Sequence, residues 1–219
     1  MGHAALVAGG AGALGAAVVE ELVRAGWKVT VVDRQAREAA GAQGVQADLL
    51  APEDAAQAVA RVEDLRAVVN LVGGFRMGSK VEGTELADFE GMLRLNLVPA
   101  FNLARAAMPR LAAAGGGAFV CVSARAALQP FPGASGYITA KAAVLAFVKA
   151  LDSEYRQARV RVNAVVPSVM DTPANRSSMP DADTSKWVPP EQVARVIRFL
   201  CSEDSEPTSG AAVPVYGRA

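Results

Sequence analysis

LVAGGAGALG, residues 6–15, joins an apolar run to a segment with helical periodicity. The apolar run, residues 4–8, is typical of a short buried strand. After it, Leu14, Val18 and Leu22 recur at helical spacing. Glycines between a strand and a helix are typical of the turn at which a parallel sheet binds a dinucleotide. A plain turn rich in glycine and alanine is the alternative.

Three glycines of this turn have separate expected roles. Gly9 allows the tight turn, Gly12 lets the backbone approach a pyrophosphate, and Gly15 lets the helix pack close to the strand. The unpaired N–H groups at the helix start, at Ala13 and Leu14, and the positive end of the helix dipole favour phosphate there. The turn therefore predicts a cofactor-phosphate site.

An acidic residue at the end of the second predicted strand supports this interpretation. The strand covers residues 28–32, and Asp33 follows it. Its position is near the ~20-residue offset expected for the acid that binds the adenosine ribose. Asp33 favours NADH, because a carboxylate bonds a free 2′-hydroxyl and repels a 2′-phosphate. Arg34 leaves NADPH possible, since a guanidinium can accept that phosphate or stack on adenine.

The composition fits one α/β domain over residues 1–219 and excludes several classes of function. Of the residues, 52% are hydrophobic, which is enough for one substantial core. The formal net charge is zero without a Lys/Arg block, so no nucleic-acid partner is expected. No apolar stretch is long enough to span a bilayer, and the two cysteines lack CxxC spacing. We therefore expect a cytoplasmic protein without a membrane partner.

The single histidine, His3, narrows the chemistry further. Ser-His-Asp catalysis, Cys-His catalysis and histidine-based zinc sites all need a histidine inside the fold, whereas His3 stands beside the N-terminus. Redox chemistry without a metal is what remains.

Strand and helix patterns alternate along the rest of the chain. This alternation, with apolar strands, predicts a doubly wound, Rossmann-type fold with three α/β/α layers and a mainly parallel seven-stranded sheet. Further strands are predicted at residues 45–47, 66–72, 118–122, 160–166 and 211–216. Helices are predicted at residues 52–65, 85–114 with a bend at Pro99, 137–157 and 191–201, and a long loop at 168–190.

The loops that follow the strands are where a ligand site is expected, because such sheets bind ligands beyond the carboxyl ends of their strands. Asp48 and Leu49 follow the third strand, and Asp48 is expected to accept a bond from the adenine amino group. A surface acid ahead of a helix is the alternative for Asp48. Gly73 and Gly74 follow the fourth strand and let the backbone approach the cofactor ribose.

Tyr137 and Lys141 stand four residues apart, on one face of the helix predicted after the fifth strand. A phenol with its ordinary pKa of about 10 exchanges protons poorly at neutral pH. A neighbouring ammonium and an oxidised nicotinamide would both lower the pKa of Tyr137. An exposed ion-pair spacing without function is the alternative, but the position after strand five of a dinucleotide fold favours catalysis.

Seven motifs occur together in this chain: residues 9–15, Asp33, Asp48, residues 70–73, Asn96, Tyr137 with Lys141, and residues 167–172. With them the chain resembles the short-chain dehydrogenase/reductase family over nearly its whole length. The resemblance implies that Tyr137 is the general acid and that Lys141 holds the ribose and tunes Tyr137. It also implies that Asn96 supports a proton-relay water, and that Pro167 and Thr172 contact the cofactor, Thr172 at the nicotinamide amide.

One departure from the family's pattern concerns the substrate. The family's substrate-polarising serine falls on Ala124, with Ser123 one position away. Neighbouring side chains on a strand face opposite ways, so Ser123 would replace that serine only if the backbone has already turned. The sequence favours a missing serine, with Ser123 and Ala124 on the substrate side.

The dihydropteridine reductases, a branch of the same family, share this gap. The chain is similar to them at residues 9–15, 126–141 and 171–187. The last segment ends at Trp187 and lies near the substrate mouth in those enzymes, so we expect residues 168–190 to be the substrate loop. The resemblance implies NAD(P)H-dependent reduction of a quinonoid dihydropterin by a homodimer or homotetramer. The alternatives are a carbonyl or quinone reductase of the same family and a dinucleotide-sensing regulator without turnover.

Overall fold

A computed structural model describes residues 3–35 and 41–218 of the chain. At its centre lies one sheet whose strands are β1 (Ala4–Ala8), β2 (Lys28–Asp33), β3 (Ala42–Gln46), β4 (Leu65–Asn70), β5 (Gly117–Val122), β6 (Val160–Pro167) and β7 (Ala212–Val215). They are arranged in the order β3-β2-β1-β4-β5-β6-β7, and every neighbouring pair is parallel. The predicted doubly wound fold is confirmed.

Helices cover both faces of the sheet. The α-helices of the described residues are α1 (Ala13–Arg24), α2 (Pro52–Ala60), α3 (Leu86–Ala113), α4 (Ser135–Tyr155), α5 (Pro173–Ser178) and α6 (Pro190–Cys201). Because side chains alternate along a strand, Leu6 of β1 packs into the cluster with α2, α3 and α4, while Val7 packs into the cluster with α1 and α6. Both faces of the sheet are therefore buried, which gives the three predicted layers.

The strand order places the ends of several strands around one crevice. From β1 the chain builds outward to β3, and after the crossover to β4 it builds outward to β7. All strands are parallel, so their carboxyl ends lie at the same edge of the sheet. The crevice between β1 and β4 at this edge is where an open α/β sheet binds ligands.

Two predicted boundaries are wrong around β3 and α2. The third strand spans Ala42–Gln46 instead of residues 45–47, and the following helix ends at Ala60 instead of Leu65. Leu65 begins β4, because it pairs with Ala4 of β1. Asp64 precedes it with a φ of 48°, a turn that hydrophobic periodicity does not reveal.

The long helix α3 is not interrupted by its prolines. It continues from Leu86 to Ala113 through Pro99 and Pro109. Each proline removes only its own backbone donor, and burial of Ala100, Leu103 and Ala107 against the sheet holds the helix together.

The segment 168–190, predicted as a loop, has structure of its own. It contains α5 and a single 3₁₀ turn at Thr184–Lys186. Its two ends are joined, because the Val188 amide donates to the Val169 carbonyl (3.0 Å) and the Val188 carbonyl accepts from the Asp171 amide (2.9 Å). The segment is therefore closed at its base above the carboxyl edge of β6.

Candidate active site

The glycine turn after β1 is packed more tightly than its sequence alone indicates. Gly9 has a φ of 79°, and its amide donates to the Val32 carbonyl (2.8 Å). A Cβ on Gly15 would lie 2.5 Å from the Gly10 Cα, so the helix could not approach the turn. Gly10 was missed by the sequence prediction, although a Cβ there would lie 2.6 Å from Val31 Cγ1.

Gly12 differs from its neighbours, because the protein itself leaves room for a side chain there. The nearest atom to a Cβ on Gly12 is the Gly9 carbonyl oxygen at 3.6 Å, an ordinary contact. Gly12 caps α1 without a side-chain hydrogen bond, and the first turn of α1 contains no acidic residue. The start of α1 therefore suits an anion approaching from outside.

A cavity of about 390 Å³ opens beside this helix start. Ala13 lines it, whereas the Leu14 side chain is buried in the core. Across the cavity lie Thr172, which caps α5 by accepting from the Asn175 amide (3.2 Å), and the first residues of α6. Pro167, the last residue of β6, is buried below them.

The carboxylate at the tip of β2 is tied to the glycine turn. Asp33 Oδ2 accepts from the Ala11 amide (3.2 Å), and Oδ1 accepts from the Gln35 amide (3.4 Å). The neighbouring Arg34 is exposed, and its carbonyl accepts from Gln46 Nε2 (3.0 Å). The Asp33 carboxylate is therefore fixed beside the glycine turn.

Asp48 and Leu49 organise the approach to α2. Asp48 Oδ1 accepts from the Leu50 amide (3.0 Å), and the Asp48 amide donates to Asp54 Oδ2 (2.9 Å). The Leu49 side chain is buried, and its carbonyl accepts from Asn102 Nδ2 (2.9 Å). Asp48 itself is exposed at the edge of the crevice, so both expectations for it, an adenine contact and a helix-approach acid, fit its placement.

Tyr137 and Lys141 both lie in the first half of α4. Lys141 Nζ donates to the Val122 carbonyl (3.0 Å) and lies 5.9 Å from the centre of the Tyr137 ring. Burial lowers the pKa of Lys141 to about 8 and raises the pKa of Tyr137 to about 12. The expected lowering of the phenol pKa by the ammonium is therefore not found in the protein alone, because desolvation of the phenol prevails.

Gly73 and Asn96 pack against each other beside the Lys141 ammonium. A Cβ on Gly73 would lie 2.5 Å from Asn96 Oδ1 and 3.1 Å from Lys141 Nζ, so a side chain at this position would displace the Asn96 amide. Asn96 Oδ1 accepts from the Gly74 amide (3.2 Å), and its Nδ2 donates to the carbonyls of Gly74 (3.1 Å) and Met92 (3.0 Å). The Asn96 side chain thus fixes the turn after β4, and its implied role in a water relay stays a prediction.

Ser123 and Ala124 have different surroundings at the end of β5. The Ser123 hydroxyl donates to the Lys141 carbonyl (2.8 Å), and the residue is only 2% exposed. A hydroxyl used in this way faces α4, so the placement of Ser123 on the substrate side is not supported. Ala124 is extended, with φ −156°, and presents only a methyl group.

The sequence prediction missed Phe75, which contacts Tyr137, and Phe131, which lies beside Phe75. The ring of Phe75 meets the Tyr137 ring edge-on, and it lies 6.5 Å from the Phe131 ring between centroids. Phe75 is 60% exposed and Phe131 is 40% exposed. Both stand in loops without a hydrophobic period, and only the position of Phe75, directly after Gly73 and Gly74, could have signalled a site.

A second cavity, of about 300 Å³, lies between Tyr137 and the loop after β4. Met77, Phe89 and Met92 contribute apolar lining. Trp187 lines neither cavity, although it was expected beside the substrate. It is half-buried beside the 3₁₀ turn, with its amide donating to the Thr184 carbonyl (3.0 Å).

Within residues 3–35 and 41–218, no group of three or more His, Cys, Asp or Glu side chains is placed to hold a metal ion. In the same residues no helix is long and apolar enough to cross a membrane. Both buried cysteines, Cys121 and Cys201, are free thiols.

Comparisons with known proteins agree with this geometry. The family model described as short chain dehydrogenase matches residues 3–183. The 4-formylbenzenesulfonate dehydrogenase of Comamonas testosteroni is 31% identical, over 97% of this chain and 96% of its own.

Solved structures show the same fold at lower identity. A short-chain type dehydrogenase/reductase from Mycobacterium ulcerans superposes with a TM-score of 0.92 at 24% identity, over 99% of this chain and 89% of that chain. ElxO, solved with NADP bound, superposes with a TM-score of 0.91 at 21% identity, over 99% of this chain and 98% of that chain.

Proposed function

The chain belongs to the short-chain dehydrogenase family, and from this premise we propose that it is a cytoplasmic, NADH-dependent reductase of a flat, conjugated acceptor, quinonoid dihydropterin. Oxidoreductase chemistry with a nicotinamide dinucleotide follows from the family. The choice of acceptor and of NADH is argued below from the residues of this chain.

The residues present fit a dinucleotide. The uncapped start of α1, with open space at Gly12, suits the pyrophosphate, and Lys141, whose Nζ lies beside Gly73, would hold a ribose. Asp33 would bind the adenosine ribose at the tip of β2, with Asp48 and Leu49 near the adenine. Thr172 would face the nicotinamide end from the far side of the 390 Å³ cavity. When bound, the cofactor supplies the hydride.

NADH is the preferred form of the cofactor in this proposal. Asp33 already holds the amide of Ala11, so its carboxylate is fixed beside the turn. A 2′-phosphate brought to the same place would meet this negative charge, whereas a 2′-hydroxyl would donate to it. Arg34 is exposed beside it and is a reason for NADPH to be accepted as well.

Tyr137 is the proposed proton donor. With a pKa of about 12, its phenol keeps its proton at neutral pH, as an acid in a reduction must. Lys141 stands one helical turn away, with its ammonium directed at the Val122 carbonyl and packed against Gly73. The Asn96 side chain bonds the Gly74 backbone and so fixes the loop after β4 beside Lys141.

The single observation that carries the choice of acceptor is the methyl side chain of Ala124 at the position where the family's substrate-polarising serine is expected. Ala124 has only a methyl group, and the Ser123 hydroxyl already donates its hydrogen bond to the Lys141 carbonyl. Reduction of a ketone produces an oxyanion, and losing one preorganised donor to an oxyanion costs roughly 10²–10³ in rate. A quinonoid dihydropterin needs less polarisation, because it is electron-poor and its ring gains aromatic stabilisation on reduction.

The surroundings of Tyr137 support a flat ring as substrate. Phe75 and Phe131 present exposed aromatic surface there, and Met77, Phe89 and Met92 form the apolar part of the mixed lining of the neighbouring 300 Å³ cavity. Edge-to-face and offset-stacked contacts with such rings favour a conjugated bicycle over an aliphatic chain.

The experiment is NADH oxidation by the purified protein with quinonoid dihydropterin, with the tetrahydropterin product identified by mass. An aryl aldehyde is the second acceptor to be measured, because the relative from Comamonas testosteroni bears the name of a formylbenzenesulfonate dehydrogenase. Turnover of the pterin supports the proposal, and turnover of the aldehyde alone would contradict it.

A homodimer or homotetramer is proposed for the assembly. The apolar face of α3 formed by Leu93, Leu97, Phe101 and Ala104 is the proposed pairing surface, and its residues differ in burial. Ala104 is buried in the core, whereas Phe101 is 51% exposed and its ring lies 6.2 Å from that of Phe147 on α4. Phe101→Lys should dissociate the assembly in light scattering, and an unchanged mass would contradict pairing through this face.

A further inference from the structure

Arg176 is the only cation among the described residues that line the 390 Å³ cavity. The other lining residues include Ala13 at the start of α1 and Glu191 at the start of α6. The cavity also contains the carboxylate of Asp171. The two acidic groups outnumber the single guanidinium, so a pyrophosphate entering here needs that cation.

Arg176 is held by Asp171 through a two-pronged ion pair. Its Nε donates to Asp171 Oδ1 (2.5 Å), and its Nη2 donates to Asp171 Oδ2 (2.8 Å). The Arg176 side chain is 56% exposed, so solvent screens the pair and its partner can be exchanged at little cost. The hydrogen bonds from Arg176 hold the pKa of Asp171 below its usual range, so both groups are charged at neutral pH.

The guanidinium fork of Arg176 matches a phosphate as well as it matches a carboxylate. The start of α1 across the cavity has no side-chain cap and no acidic residue in its first turn, so it supplies only N–H donors. A ligand pyrophosphate between them would meet the helix start on one side and the guanidinium on the other.

We propose that Arg176 is a cofactor-binding residue that exchanges the Asp171 carboxylate for the pyrophosphate of the dinucleotide. The Asp171 carboxylate therefore competes with the pyrophosphate for Arg176, and it holds the Arg176 guanidinium in place before the dinucleotide binds. This inference rests on the dinucleotide part of the proposed function and is independent of the pterin.

Binding measurements separate this role from a structural one. NADH and ADP-ribose, which has the pyrophosphate but no nicotinamide, are titrated by calorimetry into wild type, Arg176→Gln, Asp171→Asn and the double variant. Arg176→Gln should weaken both ligands about tenfold, the size of a charge-assisted hydrogen bond. Asp171→Asn should tighten both ligands, because it removes the competitor, and the double variant should bind as weakly as Arg176→Gln.

The sign of the Asp171→Asn effect is decisive. If the pair only stiffens the loop, both single variants weaken binding alike, and that result would overturn the proposal. Arg105→Gln, at an exposed position of α3, is the matched control and should leave binding unchanged. Thermal melts of each variant show whether it is folded. Binding that follows the expected pattern without pterin reduction would contradict only the proposed acceptor. A wild type that binds no ADP-ribose would overturn both proposals.

Discussion

The ring of Phe75 stands at 89° to the ring of Tyr137, with 4.9 Å between their centroids. The two loops that bring Phe75 and Phe131 together are joined by a hydrogen bond from the Gly78 amide to the Gly133 carbonyl (2.8 Å). Phe75 remains 60% exposed in this edge-on arrangement, so part of its ring is available to a ligand. The contact therefore links the proton donor to the surface on which we propose that the acceptor lies.

Removing this ring should weaken acceptor binding. Phe75→Ala should raise the KM for quinonoid dihydropterin about three- to tenfold, the range expected for an aromatic contact. Phe75→Leu, which keeps apolar volume but loses the ring, should restore only part of the affinity. Val81→Ala, at an exposed position of the same loop, is the control. Equal effects of Phe75→Ala and Val81→Ala, or a matching loss of NADH affinity, would contradict a specific role for Phe75.

Loss of the Tyr137 hydroxyl should stop proton transfer without affecting the cofactor site. Tyr137→Phe should lower kcat roughly 10²–10⁴-fold, the usual contribution of general acid catalysis. The dissociation constant for NADH should remain unchanged, because the glycine turn is untouched. Tyr155→Phe, at the end of the same helix, should keep full activity. Full activity of Tyr137→Phe with the pterin would show that the proton comes from another group.

Lys141 should make stability depend on pH in a defined direction. Burial lowers its pKa from 10.5 to about 8, so between these values the unfolded chain binds a proton that the folded protein has lost. The free energy of unfolding contributed by this group therefore rises with pH across that window, by about 3 kcal/mol at most.

The measurement for Lys141 is the difference in unfolding free energy between wild type and Lys141→Met, from urea titrations at several pH values. Comparison with the variant cancels the opposite contributions of Tyr137 and Cys121, whose pKa values burial raises to about 12. The difference should shift in favour of wild type from pH 8 upward. Parallel curves for the two proteins would exclude a lysine pKa lowered by burial.

The Asp33 carboxylate should set the cofactor preference. Wild type should have a kcat/KM for NADH at least about tenfold above that for NADPH, because the 2′-phosphate meets a fixed negative charge. Asp33→Ser should narrow or reverse the ratio, since the phosphate then meets Arg34 without the opposing carboxylate. A preference for NADPH in the wild type would show that Arg34, and not Asp33, decides the choice.

The fold and the crowded glycine turn were predictable because their signals are local. The glycines of residues 9–15 stand between a strand and a helix whose hydrophobic patterns are clear, and the structure confirms the crowding at Gly15. Gly12 meets no such crowding from the protein, and an approaching ligand explains it best. The end of the second helix was not predictable. Leu65 belongs to β4 because it pairs with Ala4 of β1, and these two residues are distant in the sequence.

The chemistry around Tyr137 was not predictable, because it depends on which residues distant along the chain contact each other. The orientation of the Ser123 hydroxyl is fixed by the Lys141 carbonyl, 18 residues away along the chain. The pKa of the phenol was expected to fall through its cationic neighbour, but burial outweighs an ammonium that is turned toward Val122. Phe75 lies in an irregular loop and Arg176 in the six-residue helix α5, and neither segment has a hydrophobic period that indicates which side chains meet.

The most direct test compares acceptors side by side. NADH-dependent reduction of quinonoid dihydropterin, a quinone, an aryl aldehyde and several ketones is measured for wild type and for Ala124→Ser, which introduces a hydroxyl at the position of the family's substrate-polarising serine. We predict that wild type reduces the pterin far faster than any ketone, and that Ala124→Ser gains ketone activity while its pterin activity changes little. Efficient ketone reduction by wild type without pterin turnover would contradict this assignment of the substrate.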